Sequence, residues 1–275
     1  MRITTNVSAM TAHRSLVHSQ REMQKSNAQL SSGSRITKSA DDAAGLAISE
    51  NLKSQIRSYS QAGRNANDGV SLIQTAEGGM NEISNILTRL RELGIQASSD
   101  TVSDVERGFV DKEVQALKEE VQRIAVTTRF GAQNLTDGSG SDFDFQVGIN
   151  NNASEDRITY RPSDTDVTLS NLGLEGLDYS NKAGAQEALD MIDKAHTQVS
   201  GYRAGLGALQ NRLQSTIDNV AVMQENISAA NSRIRDTDVA LASSEFMRNN
   251  ILLQAGTSTM AQANQVPSLA MKLIG

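Results

Sequence analysis

Apolar side chains recur along this chain at seven-residue steps, and the steps fall into blocks that predict helices. Residues 3–30 carry a thin stripe, in which Ile3, Met10 and Val17 are seven apart, with Val7, Met23 and Leu30 nearby. Ser, Gln and Asn dilute it, so a helix there needs a partner to persist in water. Gly33 stands where a helix C-cap belongs, residues 33–40 read as a connector, and Ser39, Asp41 and Asp42 offer N-caps for the next helix. Residues 42–99 carry the longest pattern. Leu52, Tyr59, Ala66, Ile73, Met80 and Leu87 form one row. Ile48, Ala62, Ala76, Ile83, Leu90 and Ala97 form a second, and the two make an a/d seam. A helix of this length runs about 80–90 Å at about 1.5 Å per residue. It cannot bury its stripe inside a sphere and needs other long helices beside it.

Ser103 and Glu106 form a capping box ahead of Val110, Val114, Leu117, Val121 and Ile124, which predicts a third helix ending near Thr128. Residues 130–180 change character. Phe143, Phe145, Val147 and Ile149 alternate as a strand does, Asn150, Asn151 and Asn152 read as a turn, and Ile158 and Tyr160 suggest a return strand. The acidic side chains here, among them Asp142, Asp144, Glu155, Asp156 and Asp164, read as a solvated surface. Helical spacing returns over 182–235 in the row Ala185, Ile192, Val199, Leu206, Leu213, Val220, Ile227 and Ile234. A last helix starts near Asp236 or Asp238. Val239, Ala242, Phe246, Leu253, Met260 and Ala263 continue the seam, Pro267 interrupts it, and Leu269 and Leu273 follow.

The predicted fold is mainly α: a long helical coiled-coil bundle from paired N- and C-terminal segments, with a small β-hairpin region in the middle. A chain that goes out along helices and returns along helices brings its ends together. Residues 1–44 would supply one half of a terminal coiled coil plus the connector, 45–235 a helical body, and 236–275 the other half. The two weak end helices then bury their stripes on each other or on copies from neighbouring subunits.

Composition narrows the function classes. Aromatics make up 3% of residues and Trp is absent, so Leu, Ile, Val, Met and Ala must build the core, as helix–helix packing allows. Cysteine is absent, which excludes disulfides and thiolate ligands. A formal charge of −6 argues against a nucleic-acid binder. No long apolar run marks a cleavable signal peptide or a membrane span. His13 and His18 are five apart, wrong for one helix face, and His196 stands alone. No His-Glu-x-x-His, Gly-x-Ser-x-Gly or P-loop pattern occurs, and neither catalysis nor a cofactor is expected. Gly63, Gly69, Gly78, Gly79 and Gly94 interrupt the helical pattern at a cost relative to Ala, and read as close helix contacts.

Longer motifs then enter. Leu30 to Ile36 (LSSGSRI), Asp41 to Ile48 (DDAAGLAI), Asp68 to Gly78 (DGVSLIQTAEG) and Arg89 to Leu93 (RLREL) closely resemble the N-terminal signature of bacterial flagellins. Ser232 to Asp236 (SRIRD), Gln254 to Thr257 (QAGT) and Ala261 to Pro267 (AQANQVP) resemble the C-terminal one. Phe130-Gly131-Ala132 stands where family members often have Phe-Asn-Gly, and Ile274-Gly275 ends the chain where others have apolar residues plus Arg. The resemblance implies a structural subunit that polymerises into the flagellar filament for swimming. It also implies export, unfolded, through the flagellum's own channel, and an extracellular place without a cleavable signal peptide. The chain looks like a minimal form without large outer domains.

The same resemblance supplies candidate residues. Val7, Met10, Val17, Leu30, Arg35, Phe246, Leu253 and Met260 would assemble the filament's inner tube. Arg89 and Leu93, one helical turn apart, with Glu113 on the next helix, would serve filament packing and a host Toll-like receptor. Arg2, Arg14, Arg21, Lys25, Arg35 and Lys38 make the first segment basic against Glu22 alone, either as a solvated face or as charges pairing across copies or lining the tube. Implied partners are many copies of the chain itself, an export chaperone, a cap protein and hook-associated junction proteins, with no nucleic acid and no membrane insertion. A hook–filament junction protein and a secreted helical effector are the alternatives. Residues 1–35 and 240–275 are expected to be largely disordered in dilute free subunit and ordered in the polymer. Amide exchange checks this: fast exchange in both segments of the monomer is expected, and strong protection there contradicts it.

Overall fold

The computed structural model describes residues 5–274, with side chains from Thr5 to Gln265. Among the described residues there are six α-helices: α1 (Val7–Ser32), α2 (Ala43–Ala97), α3 (Asp104–Thr127), the single turn α4 (Ala153–Asp156), α5 (Lys182–Arg235) and α6 (Val239–Ile274). Two antiparallel hairpins sit between α3 and α5: β1 (Arg129–Phe130) with β2 (Gln133–Asn134), and β3 (Phe143–Gln146) with β4 (Arg157–Tyr160). The predicted class, mainly α with a small central β region, is the observed one. Packing divides the chain into two compact units, one of residues 57–224 and the other of the remaining residues at both ends. Both boundaries fall inside α2 and α5, deeper than the breaks at 44/45 and 235/236 read from the sequence.

Local signals explain where the helices start. Ser103 and Glu106 form a full capping box, the Ser103 hydroxyl accepting from Glu106 N and the Glu106 carboxylate from Ser103 N at 2.8 Å. Asp42, not Ser39 or Asp41, caps α2, accepting from Gly45 N at 2.8 Å. Asp238 caps α6, accepting from Ala240 N and Leu241 N. Helix ends are closed as deliberately. The Arg107 guanidinium, almost wholly buried, donates to Ala97 O and Ser99 O, meeting the orphan carbonyls and negative dipole end of α2.

In unit 57–224 the two heptad rows become one core. Ala66, Ile73, Met80, Leu87, Ile83 and Leu90 of α2 are fully buried with Val114 and Val121 of α3 and Ile192, Val199 and Leu213 of α5. Close approach explains three of the five glycines that interrupt the helical pattern between residues 63 and 94. A Cβ at Gly69 would lie 3.1 Å from the Phe145 ring, at Gly79 3.0 Å from Thr128 Cγ2, and at Gly94 3.1 Å from Tyr179 Oη. A Cβ at Gly63 would meet Val220 Cγ1 at an ordinary 3.8 Å and one at Gly78 would enter open space, so close contact does not explain them.

The middle segment is tied to the helices by polar groups. Buried Tyr160 donates to Leu135 O at 2.6 Å, and burial pushes its phenol up to about 12. Tyr179 donates to Leu90 O at 3.0 Å, Thr136 to Ala125 O, and Lys118 Nζ to Glu175 O at 2.8 Å. The strand expected to reach Ile149 stops at Gln146, because Val147 N and Gly148 N both donate to Asp156 O and bend the chain. The Asp156 carboxylate is buried and accepts from Asn150 N and Asn152 N. It is a loop clamp and not part of a solvated acidic surface.

The unit holding both chain ends is built on α1 and α6. Gly33 takes the left-handed conformation, φ 67°, and ends α1 as expected. The second α2 row does not extend to Ile48, which is 53% exposed; Gly45 and Ser49 are buried instead, and Ser49 donates to Asn231 Oδ1 at 2.8 Å. Backbone α6 continues through Pro267 to Ile274, against the expected interruption. Proline lacks the N–H that would bond Ala263 O four residues back, and Asn6 Nδ2 donates to that carbonyl at 2.8 Å. The Asn6 carbonyl oxygen meanwhile caps α1 by accepting from Ala9 N. Ile3, and the side chains of Pro267, Leu269 and Leu273, lie outside the described residues. Leu87→Ala should cost about 2–5 kcal/mol by leaving a cavity, whereas Met10→Ala, at an exposed site, should change subunit stability by less than about 0.5 kcal/mol. Urea denaturation of the monomer measures both, and equal losses would contradict this core assignment.

Candidate self-assembly surfaces

The connector and the end of α5 form a clamp. Ser34 bridges Asp236, Arg35 N donates to Arg235 O at 2.6 Å, and Thr237 N donates to Gly33 O at 3.0 Å. The Arg35 guanidinium donates twice to Ile234 O, from Nε at 3.2 Å and Nη2 at 2.7 Å. A cation thus meets the terminal carbonyls of α5, where the helix dipole favours it. Arg235 in turn pairs with Glu50 on α2. Arg35 is exposed yet engaged with its own chain, so it is not the free cation that pairing across copies would call for. Ile36 beside it is 2% exposed and pins the connector.

Asp41 holds the turn before α2. Its Oδ2 accepts from Thr37 N, Thr37 Oγ1 and Lys38 N at 3.1, 2.9 and 3.0 Å. The Lys38 backbone bond, then the Thr37 hydroxyl, hold this carboxyl below the usual aspartate range.

Between α1 and α6 the packed layer differs from the stripe read in sequence. The half-buried row of α1 is Ala12, Leu16, Ser19, Met23 and Leu30 with buried Ser26, facing Ala242, Phe246, Asn249, Leu253 and Met260 of α6. Leu16 lies against Gly256, about where a side chain there would touch it at 3.6 Å. Leu30, Phe246, Leu253 and Met260 therefore belong to the layer. Met10 is 57% and Val7 65% exposed, and Val17 is half-buried outside this row. The actual row steps by three and four through Ala and Ser, whose small side chains let the helices approach. A search for large apolar residues at sevens passes over it. Outside this layer α6 exposes Leu241, Met247, Ile251 and Leu252.

On the body, Arg89 Nε and Nη2 both reach Glu113 Oε1, at 3.0 and 2.9 Å, while Nη1 reaches Glu92. The three are exposed and join α2 to α3, and the Glu113 bonds, then Glu92, raise the Arg89 pKa further. Leu93 does not join them. It is 2% exposed within the core, because α2 is covered on more than one side here and its buried set widens to Leu90, Leu93, Gly94 and Ala97. The expected three-residue surface is thus reduced to the Arg89–Glu113 pair. Sequence reading missed Val105 and Phe109 on α3, 72% and 64% exposed, with Lys112 Nζ 5.7 Å from the Phe109 ring centre. Their i, i+4 spacing beside a capping box is the signal that marks them as one outward face.

No group of three or more His, Cys, Asp and Glu able to hold a metal occurs among the described residues. No helix among them is long and apolar enough to cross a membrane.

Comparison with known proteins meets these surfaces at both ends of the chain. Residues 3–141 match the family model of the bacterial flagellin N-terminal helical region, and residues 189–274 that of the C-terminal helical region. A flagellin of Halalkalibacterium halodurans is 44% identical over 274 residues, covering all of both chains. The crystal structure of Bacillus cereus flagellin is similar at TM-score 0.51 and 30% identity, over 61% of this chain and 94% of that one. A structure described as a flagellar hook-associated protein of Vibrio parahaemolyticus has TM-score 0.59 over 71% of this chain and 100% of that one, at 13% identity, a likeness of fold alone.

The Asp41 clamp has a sign that can be checked. A depressed carboxyl contributes order that is present above the ordinary aspartate pKa of about 3.9 and is lost as pH falls through the lower folded value. The Thr37 and Lys38 amide resonances should titrate with a midpoint below about 3.9 and become flat in Asp41→Asn. A midpoint at or above that value contradicts the clamp.

Proposed function

The chain belongs to the bacterial flagellin family, and on that premise we propose that it polymerises with many copies of itself into the extracellular flagellar filament that drives swimming. The observation that carries this reading is the terminal unit, where α1 and α6 pair through one thin layer and leave Met10, Leu241, Met247 and Ile251 exposed. Large apolar side chains gathered on the exposed faces of one helix pair suit surfaces that other copies cover. Identity of 44% over the full length of a flagellin supports the filament subunit over the hook–filament junction alternative, to which only a likeness of fold points.

Export through the flagellar channel, with an export chaperone before it and a cap protein and hook-associated junction proteins at the growing structure, follows the same reading. End helices with so thin a layer suit a chain that travels unfolded and gains its last order on assembly. Recognition by a host Toll-like receptor would rest on Arg89 and Glu113, since Leu93 is inside the core of the packed subunit. Purified protein added to short filament seeds should give long tubes of flagellar width in negative-stain microscopy. Persistent monomers despite seeding would contradict the proposal.

A further inference from the structure

One flank of α1 is a groove of about 650 Å³ lined by Met10, His13, Arg14, Val17 and Arg21, with Met260 of α6 at its edge. The row Met10, Arg14, Val17 and Arg21 steps by four, three and four, so it forms one helix face. That face lies away from the layer α1 shares with α6. Arg14 and Arg21 are exposed and have no ion-pair partner among the described residues. The face therefore alternates apolar and cationic positions, and its own chain leaves Met10, Arg14 and Arg21 exposed.

A complementary row stands on α6. Asp238, Leu241 and Glu245 step by three and four along one flank of that helix. Leu241 is exposed, Asp238 is exposed beyond its capping bonds, and Glu245 has no ion-pair partner among the described residues. Laid antiparallel, Arg21 falls opposite Asp238, Val17 opposite Leu241 within one residue, and Arg14 opposite Glu245. Apolar meets apolar, and each Arg meets a carboxylate it can bond at two points.

We propose that the Met10–Arg21 face of α1 in one copy docks antiparallel on the Asp238–Glu245 flank of α6 in a second copy. This rests on the filament reading and names the contact behind it. Two different surfaces of one chain meet, so the contact is head-to-tail, and such a contact propagates into an open helical polymer wherever its rotation does not close a ring. The charges fix register and reject a slipped pairing, while Val17 and Leu241 supply burial.

Charge exchange tests the contact. Arg14→Glu and Glu245→Arg each place like charges opposite one another in a polymer of identical copies. Each alone should elongate from wild-type seeds at least about tenfold more slowly, since like-charge juxtaposition is costly at an interface. An equimolar mixture of the two should elongate close to the wild-type rate, because alternating copies restore opposite charges at every contact. Arg14→Lys and Glu245→Asp, which keep each charge, should elongate like the wild type. Either reversal elongating at the wild-type rate, a mixture no faster than its components, or slow conservative variants would overturn the pairing. Failure of wild-type protein to extend its own seeds would instead overturn the filament reading.

Discussion

The chain ends carry more apolar surface than they can bury on each other. In the body, α2, α3 and α5 meet on several sides, and Ile73, Met80, Ile83 and Leu87 vanish from the surface. The terminal pair has one partner per helix, so only one face of each can be covered. Burial is worth roughly 25 cal/mol per Å² of apolar surface, and what α1 and α6 leave in water is stabilisation the isolated subunit lacks. A subunit built this way has a body that is complete alone and ends that are not.

Polar groups keep that unfinished unit in register. Asn6 caps α1 and also fills the carbonyl of Ala263, which Pro267 cannot bond. Arg35 closes the carbonyl end of α5, and Asp41 gathers three donors of the connector. These bonds are directional and local. They set where the two ends meet without adding much burial, so the apolar faces stay available while their geometry is fixed. Most of this set lies in the stretch from Gln29 to Asp42 and its contacts with α5, where the sequence shows few large apolar residues.

The helical architecture was legible because long heptad rows admit one reading. The Ser103–Glu106 box and Gly33 fixed two boundaries, since each motif satisfies orphan backbone groups in a single way. The rest failed for identifiable reasons. The α1 layer uses Ala12, Ser19 and Ser26, small residues that a search for large apolar spacing passes over. The resemblance places Leu93 on a surface with Arg89, and the heptad rows do not correct it, because a seven-step stripe is narrower than the face a helix buries when two neighbours cover it. Asp156 reads as solvated in sequence because composition shows a charge and not the backbone donors that fold around it. The irregular segment after Tyr160 depends on tertiary bonds such as Tyr179 to Leu90, which no local pattern encodes.

The central claim is that faces exposed on the subunit are covered by other copies in the polymer. Methionines lie on both sides of that division: Met10 is 57% and Met247 62% exposed, while Met80 is fully buried. Peroxide footprinting with mass spectrometry, run on free subunit and on filament, reads all three together. The account predicts fast sulfoxide formation at Met10 and Met247 in the subunit, strong protection of both in the filament, and protection of Met80 in each. Met10 and Met247 oxidising as fast in the filament as in the free subunit would contradict it.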